Sequence, residues 1–176
     1  MHSSTIHIRR FAPSDWAALW PILQAEFAAG ESHPQPSDIS EQAAHQGWIE
    51  SPEATFVAVH DGALLGTYVL KSNQPGRGAH VCNCGYIVAP SARRQGIGRA
   101  LCRHSLDEAC QRGYLAMQYN LVVSCNHAAV RLWQDMGFDT VGRLPEAFHH
   151  PRHGLVDALV MMRSLLDRAQ RDHTLV

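Results

Sequence analysis

VAPSARRQGIGRAL, residues Val88 to Leu101, leads from the end of a strand through a turn with two glycines into a helix. Gly96 and Gly98 lack a Cβ, so the backbone there can lie against a ligand. The helix that opens at this point presents unpaired N–H groups and the positive end of its dipole. A turn of this build cradles phosphate. Arg93, Arg94 and Arg99 place positive charge around it, as a pyrophosphate or a 3′-phosphate requires. Neither GxGxxG nor GxxxxGK is present, which excludes the two commonest nucleotide-binding turns.

Upstream of the turn, His80 to Val88 reads as a long strand ending at Ala89-Pro90, preceded by a QPGRG loop, Gln74 to Gly78. Thr55 to Val59, Asp61-Gly62 and Leu64 to Leu70 predict a hairpin, because Asp-Gly supplies the positive φ angles of a tight turn. Thr5 to Arg10 alternates with period two and predicts a first strand. Pro13, Ser14 and Asp15 then start a helix with Trp16, Leu19, Trp20, Leu23 and Phe27 at helical spacing. Pro21 removes a backbone donor from it and predicts a bend or a break into two segments. Gly30 and Pro34 to Pro36 end this helix, and a second short one is expected from Ser40 to about Trp48. The polar GESHPQPSD between them predicts a loop that borders a substrate pocket.

Downstream, the helix reaches Arg112 and is capped by Gly113. Tyr114 to Val123 is strand-like, and Ala129, Leu132, Trp133 and Met136 share one face of a helix that runs from Asn126 to Gly137. Phe138 to Gly142 and Leu155 to Met162 predict two last strands, separated by a loop through His149, His150 and His153. The tail RAQRDHTLV reads as a frayed helix end. The order is strand, two helices, three strands, helix, strand, helix, two strands. It predicts an α/β chain: one domain over residues 1–176, with a mixed sheet and helices on both faces.

With 45% hydrophobic residues the chain can fill a core without disulfides or metal. Lys+Arg 15 against Asp+Glu 16 gives no bulk positive field to hold DNA or RNA, so no nucleic acid partner is expected. No stretch approaches the apolar length of a membrane span, and Met1 to Arg10 has no uninterrupted apolar region, so no membrane association is expected. Cys82, Cys84, Cys102, Cys110 and Cys125 form an odd set without repeated spacing, which suits reduced thiols in a cytoplasmic protein. Cys82 and Cys84 read as small buried apolar side chains. His149, His150 and His153 lack a further ligand group at a metal-binding spacing and read as a polar surface loop, so no metal is expected.

The string RRQGIG matches [RQ]xxGx[GA], the acetyl-CoA signature of the GCN5-related N-acetyltransferases, at Arg93, Gly96 and Gly98. The preceding GYIVAP, the helix and strand that follow, and the block SCNHAAVRLWQDMGF, Ser124 to Phe138, extend the agreement. The chain resembles that superfamily most clearly from Phe56 to Arg163, which implies its fold of about seven strands flanked by four helices. The resemblance also implies an N-acetyltransferase with acetyl-CoA as cosubstrate. In it, backbone at Gly85 to Val88, including Ile87 and Val88, pairs with the pantetheine arm, and the N–H near Val88 polarises the thioester carbonyl. Arg93, Arg94, Gln95, Gly96, Ile97, Gly98, Arg99 and Ala100 hold the pyrophosphate, and Asn126 contacts the pantetheine region. Trp133 falls where many members carry a tyrosine that protonates the departing thiolate. Tryptophan cannot donate that proton, so another group or water must do so. Homodimers are common in the superfamily, and the resemblance extends that expectation to this chain. GRLPEAFHHPRHGLVDALVMMRSL and FAAGESHP look like the branch with phosphinothricin-type and azetidine-2-carboxylate acetyltransferases, whose acceptors are free amino acids or their analogues.

Aminolysis of a thioester needs a neutral amine held close to the carbonyl carbon. Asparagine is disfavoured in strands, yet Asn83 and Asn120 lie inside the two strands that would flank the acetyl group. With Asn126 they are the candidate catalytic residues, the first two as substrate-orienting groups. Tyr86 and Tyr119 are candidate acids, and Glu26, Glu31 and His33 are candidate bases acting through water. The reaction expected is direct acetyl transfer to the amine of a small molecule. A protein N-terminus or lysine as acceptor, and a module that binds acetyl-CoA without turnover, are the alternatives.

Overall fold

Alternating side chains build seven strands: β1 His7–Arg10, β2 Ala54–His60, β3 Ala63–Ser72, β4 Val81–Val88, β5 Ala116–Val123, β6 Asp139–His150 and β7 Gly154–Ser164. The helices are α1 Trp16–Ala29, α2 Glu41–His45, α3 Ile97–Gln111 and α4 His127–Asp135. The computed structural model describes residues 6–166, so Thr5 of the expected first strand and the tail at 168–176 lie outside it. The strands form one sheet in the order β1-β2-β3-β4-β5-β7-β6. Every pairing is antiparallel except that of β4 with β5.

Each face of the sheet has its own core, because successive residues of a strand point to opposite sides. Tyr68 and Leu70 of β3 join Phe56, Ile97, Leu101, Met117 and Met161 on the side of α3 and α4. Val69, between them in sequence, joins Ile87 of β4 with Leu19, Leu23 and Phe27 of α1 and Trp48 on the opposite side. Cys82 and Cys84 are buried in the first core, as expected of small apolar side chains. The β2–β3 turn is tight because Asp61 and Gly62 adopt φ 48° and 78°, a pair that matches the twist of the flanking strands.

Two expectations need correction and that of the second helix only refinement. Of the bend or break expected at exposed Pro21, the break does not occur: α1 is one segment, Trp16–Ala29. The proline's missing N–H leaves a carbonyl that water can satisfy, while buried Leu19, Leu23 and Phe27 hold both halves on one core. The second helix continues past α2 as a wider π turn, Gln46–Glu50, which brings Trp48 into that core. The stretch from Leu144 to His150 is strand rather than loop, so β6 and β7 form one long hairpin. Pro145 and the positive φ of Glu146, 51°, fall in a bulge between Leu144 and Phe148. β6 is the sheet edge, where a proline breaks no ladder.

Among the described residues no helix is long and apolar enough to cross a membrane. The tightest backbone approach is at Gly66, opposite Val88. A Cβ there would lie 2.8 Å from the Ile87 carbonyl oxygen and 3.2 Å from Leu101 Cδ1. Gly66→Ala is expected to cost about 1–3 kcal/mol through overpacking, and a thermal melt of the purified variant against the parent checks this.

Candidate active site

The parallel pairing of β4 with β5 consists of Val81↔Ala116 and Cys82↔Met117 and then stops. β4 nevertheless stays paired with β3 as far as Val88, and β5 with β7 as far as Val123. The two strands therefore diverge, and a cleft of about 970 Å³ opens between them. Ala89 N–H donates to the Leu65 carbonyl at 2.8 Å. Backbone groups alternate along an antiparallel ladder, so Ile87, Gly85 and Asn83 also turn theirs to β3. Val88, Tyr86 and Cys84 turn theirs into the gap. Ile87 instead offers the cleft a buried side chain packed against α1.

At the end of β4 the chain enters the glycine turn. Arg94 and Gly96 take φ values of 61° and 78°, and α3 starts at Ile97. Ala100 N–H closes the first helical bond to the Gly96 carbonyl, which leaves the amides of Ile97, Gly98 and Arg99 free of helical partners. All three residues line the cleft, as do Arg93 and Arg94. Gln95 and Ala100 do not, since Gln95 folds back onto the Ser91 carbonyl at 3.0 Å. A Cβ on Gly98 would press on Leu132 at 3.2 Å, so this glycine sets how closely α3 lies to α4. Two of the three arginines already hold carboxylates: Arg93 Nη2 lies 2.8 Å from Glu26, and Arg99 Nη2 lies 2.9 Å from Asp135. Arg94 has no ion pair among the described residues.

Asn83 and Asn120 both line the cleft, just beyond the point of divergence. Sequence reasoning missed the residue that joins them. Asn73, which follows β3, accepts at Oδ1 from Asn120 Nδ2 at 2.6 Å and from Asn83 Nδ2 at 3.4 Å. Asn126 caps α4, its Oδ1 accepting from Ala129 N–H at 3.2 Å, and it faces the cleft together with Trp133. Trp133 is buried against Tyr86 and Tyr119, with ring centroids 4.9 and 5.0 Å away. The hydroxyls of those tyrosines meet at 2.8 Å, and Tyr86 also meets Ser105 at 2.7 Å. Burial pushes both phenols well above their usual range, so they stay protonated within the α3-side packing.

Glu26, Glu31 and His33 border the cleft as expected of the loop after α1. Burial alone would raise Glu26, but hydrogen bonds from His33 and Ser32 and the charges of His33 and Arg93 outweigh it and hold this carboxyl at about 2. Such a group is a poor proton acceptor at neutral pH. Glu26 instead ties α1 to the glycine turn. Glu31 pairs with Arg152 at 2.9 Å, linking that loop to the tip of the β6–β7 hairpin across the cleft. Gln35 Oε1 is buried on this rim with no hydrogen-bond partner among the described residues. His150, expected on a surface loop, is buried at 4% exposure and lines the same cleft.

Residues 16–138 match the model of the acetyltransferase (GNAT) family. The N-acetyltransferase aca1 of Schizosaccharomyces pombe is 39% identical over 99 residues, which are 56% of this chain and 47% of that protein. A GCN5-related N-acetyltransferase from Kribbella flavida superposes with a TM-score of 0.86 at 40% identity, covering 90% of this chain and 97% of its own. A phosphinothricin acetyltransferase from Sinorhizobium meliloti, solved in complex with acetyl-CoA, shares the fold at a TM-score of 0.79 and 19% identity, over 91% of this chain and 88% of its own. The chain spans no more than about half the length of the curated relatives it matches. With the matched model covering the divergent strands, the glycine turn and the α4 cap together, the chain belongs to the GNAT family of acetyltransferases.

Proposed function

We propose that residues 1–176 act as one N-acetyltransferase domain that moves acetyl from acetyl-CoA to the amine of a small molecule, an amino acid or its analogue, by direct attack. The observation that carries this reading is the gap between β4 and β5, where unshared backbone groups of Cys84, Tyr86 and Val88 lead to the free amides at Ile97, Gly98 and Arg99. An extended ligand with amide groups along its length and a diphosphate at one end suits that track. Coenzyme A has this chemistry. Val88 N–H, turned into the gap, is the donor suited to a thioester oxygen on which negative charge develops.

Asn83 and Asn120, joined through Asn73, hold the acceptor amine in line with the carbonyl, so positioning supplies most of the rate. Trp133 carries no acidic O–H, so the proton that the amine loses on attack is relayed by water to the departing thiolate. A small acceptor is supported by the loop after α1 and the tip of the β6–β7 hairpin, which line the cleft from two sides where a peptide would need an open groove. Five free cysteines support a cytoplasmic, reducing location. Exposed Val141, Leu144 and Leu155 on the outer hairpin support a homodimer.

Thiol release from acetyl-CoA against amino acids, proline analogues, polyamines and a peptide tests the proposal. Turnover with free amino acids or their analogues is expected. Turnover with the peptide alone, or coenzyme A affinity without any thiol release, would overturn it. Asn73→Ala is expected to lower kcat roughly ten- to hundredfold through misplacement of the acceptor. It should leave the KM for acetyl-CoA within about threefold, as steady-state kinetics would show. Glu26 adds a pH signature. Because its folded value is about 2 against an ordinary 4.5, its contribution to stability is complete above 4.5 and lost as pH falls toward 2. The thermal midpoint of the parent should therefore fall more steeply across that window than that of Glu26→Gln.

A further inference from the structure

The β6–β7 hairpin and the turn before α4 meet at the cleft rim and bring three metal-ligating side chains together. Cys125 lies in a turn fixed on both sides, by Ser124 N–H to the Asp157 carbonyl at 2.9 Å and by Asn126 N–H to the Val123 carbonyl at 3.0 Å. His150 is the last residue of β6, paired with Gly154 and buried. His153 stands in the exposed hairpin turn, with its ring centroid 4.6 Å from that of His150. One ligand atom from each of Cys125, His150 and His153 lies within 4.8 Å of the other two. Zn–S and Zn–N bonds of roughly 2.3 and 2.0 Å at tetrahedral angles require separations of about 3.3–3.5 Å for one sulfur and two nitrogens. Closure by about 1 Å, within reach of side-chain rotation on the exposed His153, converts the cluster into a ligand set.

We propose that Cys125, His150 and His153 form a Zn²⁺ site on the rim of the cleft, with the fourth coordination position open to it. One thiolate and two imidazoles select a borderline or soft ion such as zinc over magnesium or calcium, which prefer oxygen. Three protein ligands with one free position is the arrangement of zinc that exchanges water or substrate. As the ion arrives, the Cys125 thiol releases its proton to solvent and the thiolate offsets one of the two metal charges. His150 Nδ1 now accepts from Arg152 N–H at 3.1 Å, and coordination replaces that hydrogen bond. The neighbouring Arg152 is itself neutralised by Glu31. All three ligands line the cleft, so a bound ion occupies part of the acceptor's path and turnover falls as the site fills. That last consequence rests on the acetyltransferase reading; metal binding does not.

Co²⁺ titrated into the purified full chain, with a non-thiol reductant, reports a thiolate ligand directly through a sulfur-to-metal charge-transfer band. The expected result is one equivalent of tetrahedral Co²⁺, displaced by Zn²⁺. The band should vanish in Cys125→Ser, and affinity should fall at least tenfold in His153→Ala. His149→Ala, outside the cluster, should match the parent. Absence of the charge-transfer band, or an equal band in Cys125→Ser, overturns the site. If Co²⁺ binds as described while Zn²⁺ leaves thiol release from acetyl-CoA unchanged, competition with the acceptor is overturned and the metal site stands.

Discussion

A strand in the middle of a sheet normally has both edges satisfied, and the structure here turns on one that does not. β4 keeps its ladder to β3 along its length but shares only two residue pairs with β5. Buried backbone groups without partners are costly, on the order of a lost hydrogen bond each. Beyond Cys82, then, the free edge of β4 must face water or a ligand that offers amides of its own. The seven-stranded sheet thereby becomes two half-sheets joined at a narrow point, with the cleft between them. Residues of both cores, Ile87 on one face and Tyr119 and Trp133 on the other, reach the walls of that cleft.

Electrostatics at the glycine turn are partly balanced within the protein itself. Glu26 occupies Arg93 and Asp135 occupies Arg99, while among the described residues Arg94 has no ion pair and the first amides of α3 no helical partner. The Glu26 pair is the better shielded of the two, its carboxylate side chain being 13% exposed against 49% for Asp135. It fastens the first helix to the turn, so the loop that follows α1 is positioned from the glycine-turn end of the cleft.

The element order and the glycine turn were legible in the sequence because both rest on local periodicity and on residues whose backbone freedom is distinctive. Gly96 does adopt the positive φ that only glycine reaches cheaply. What escaped reading depends on partners distant in sequence. Nothing near Asn73 announces that it will join Asn83 and Asn120, the second of them 47 residues away. Cys125 meets His150 and His153 only because β5 and β7 pair and carry the hairpin tip over the turn before α4. In β6 a bulge around Pro145 and Glu146 interrupts the two-residue alternation that marks a strand. At Pro21 the break that a local helix breaker can cause is absent, since tertiary packing holds both halves on one core.

The Arg152–Glu31 contact crosses the cleft between side chains that are 68% and 42% exposed. A bridge so wet contributes about 0–1 kcal/mol, comparable to thermal energy. It is a clasp that opens and closes spontaneously many times during any slow chemical event, and dissolved salt loosens it further. Raising the salt concentration shifts the contact toward its open form, and the rim at Glu31 and Arg152 loosens with it.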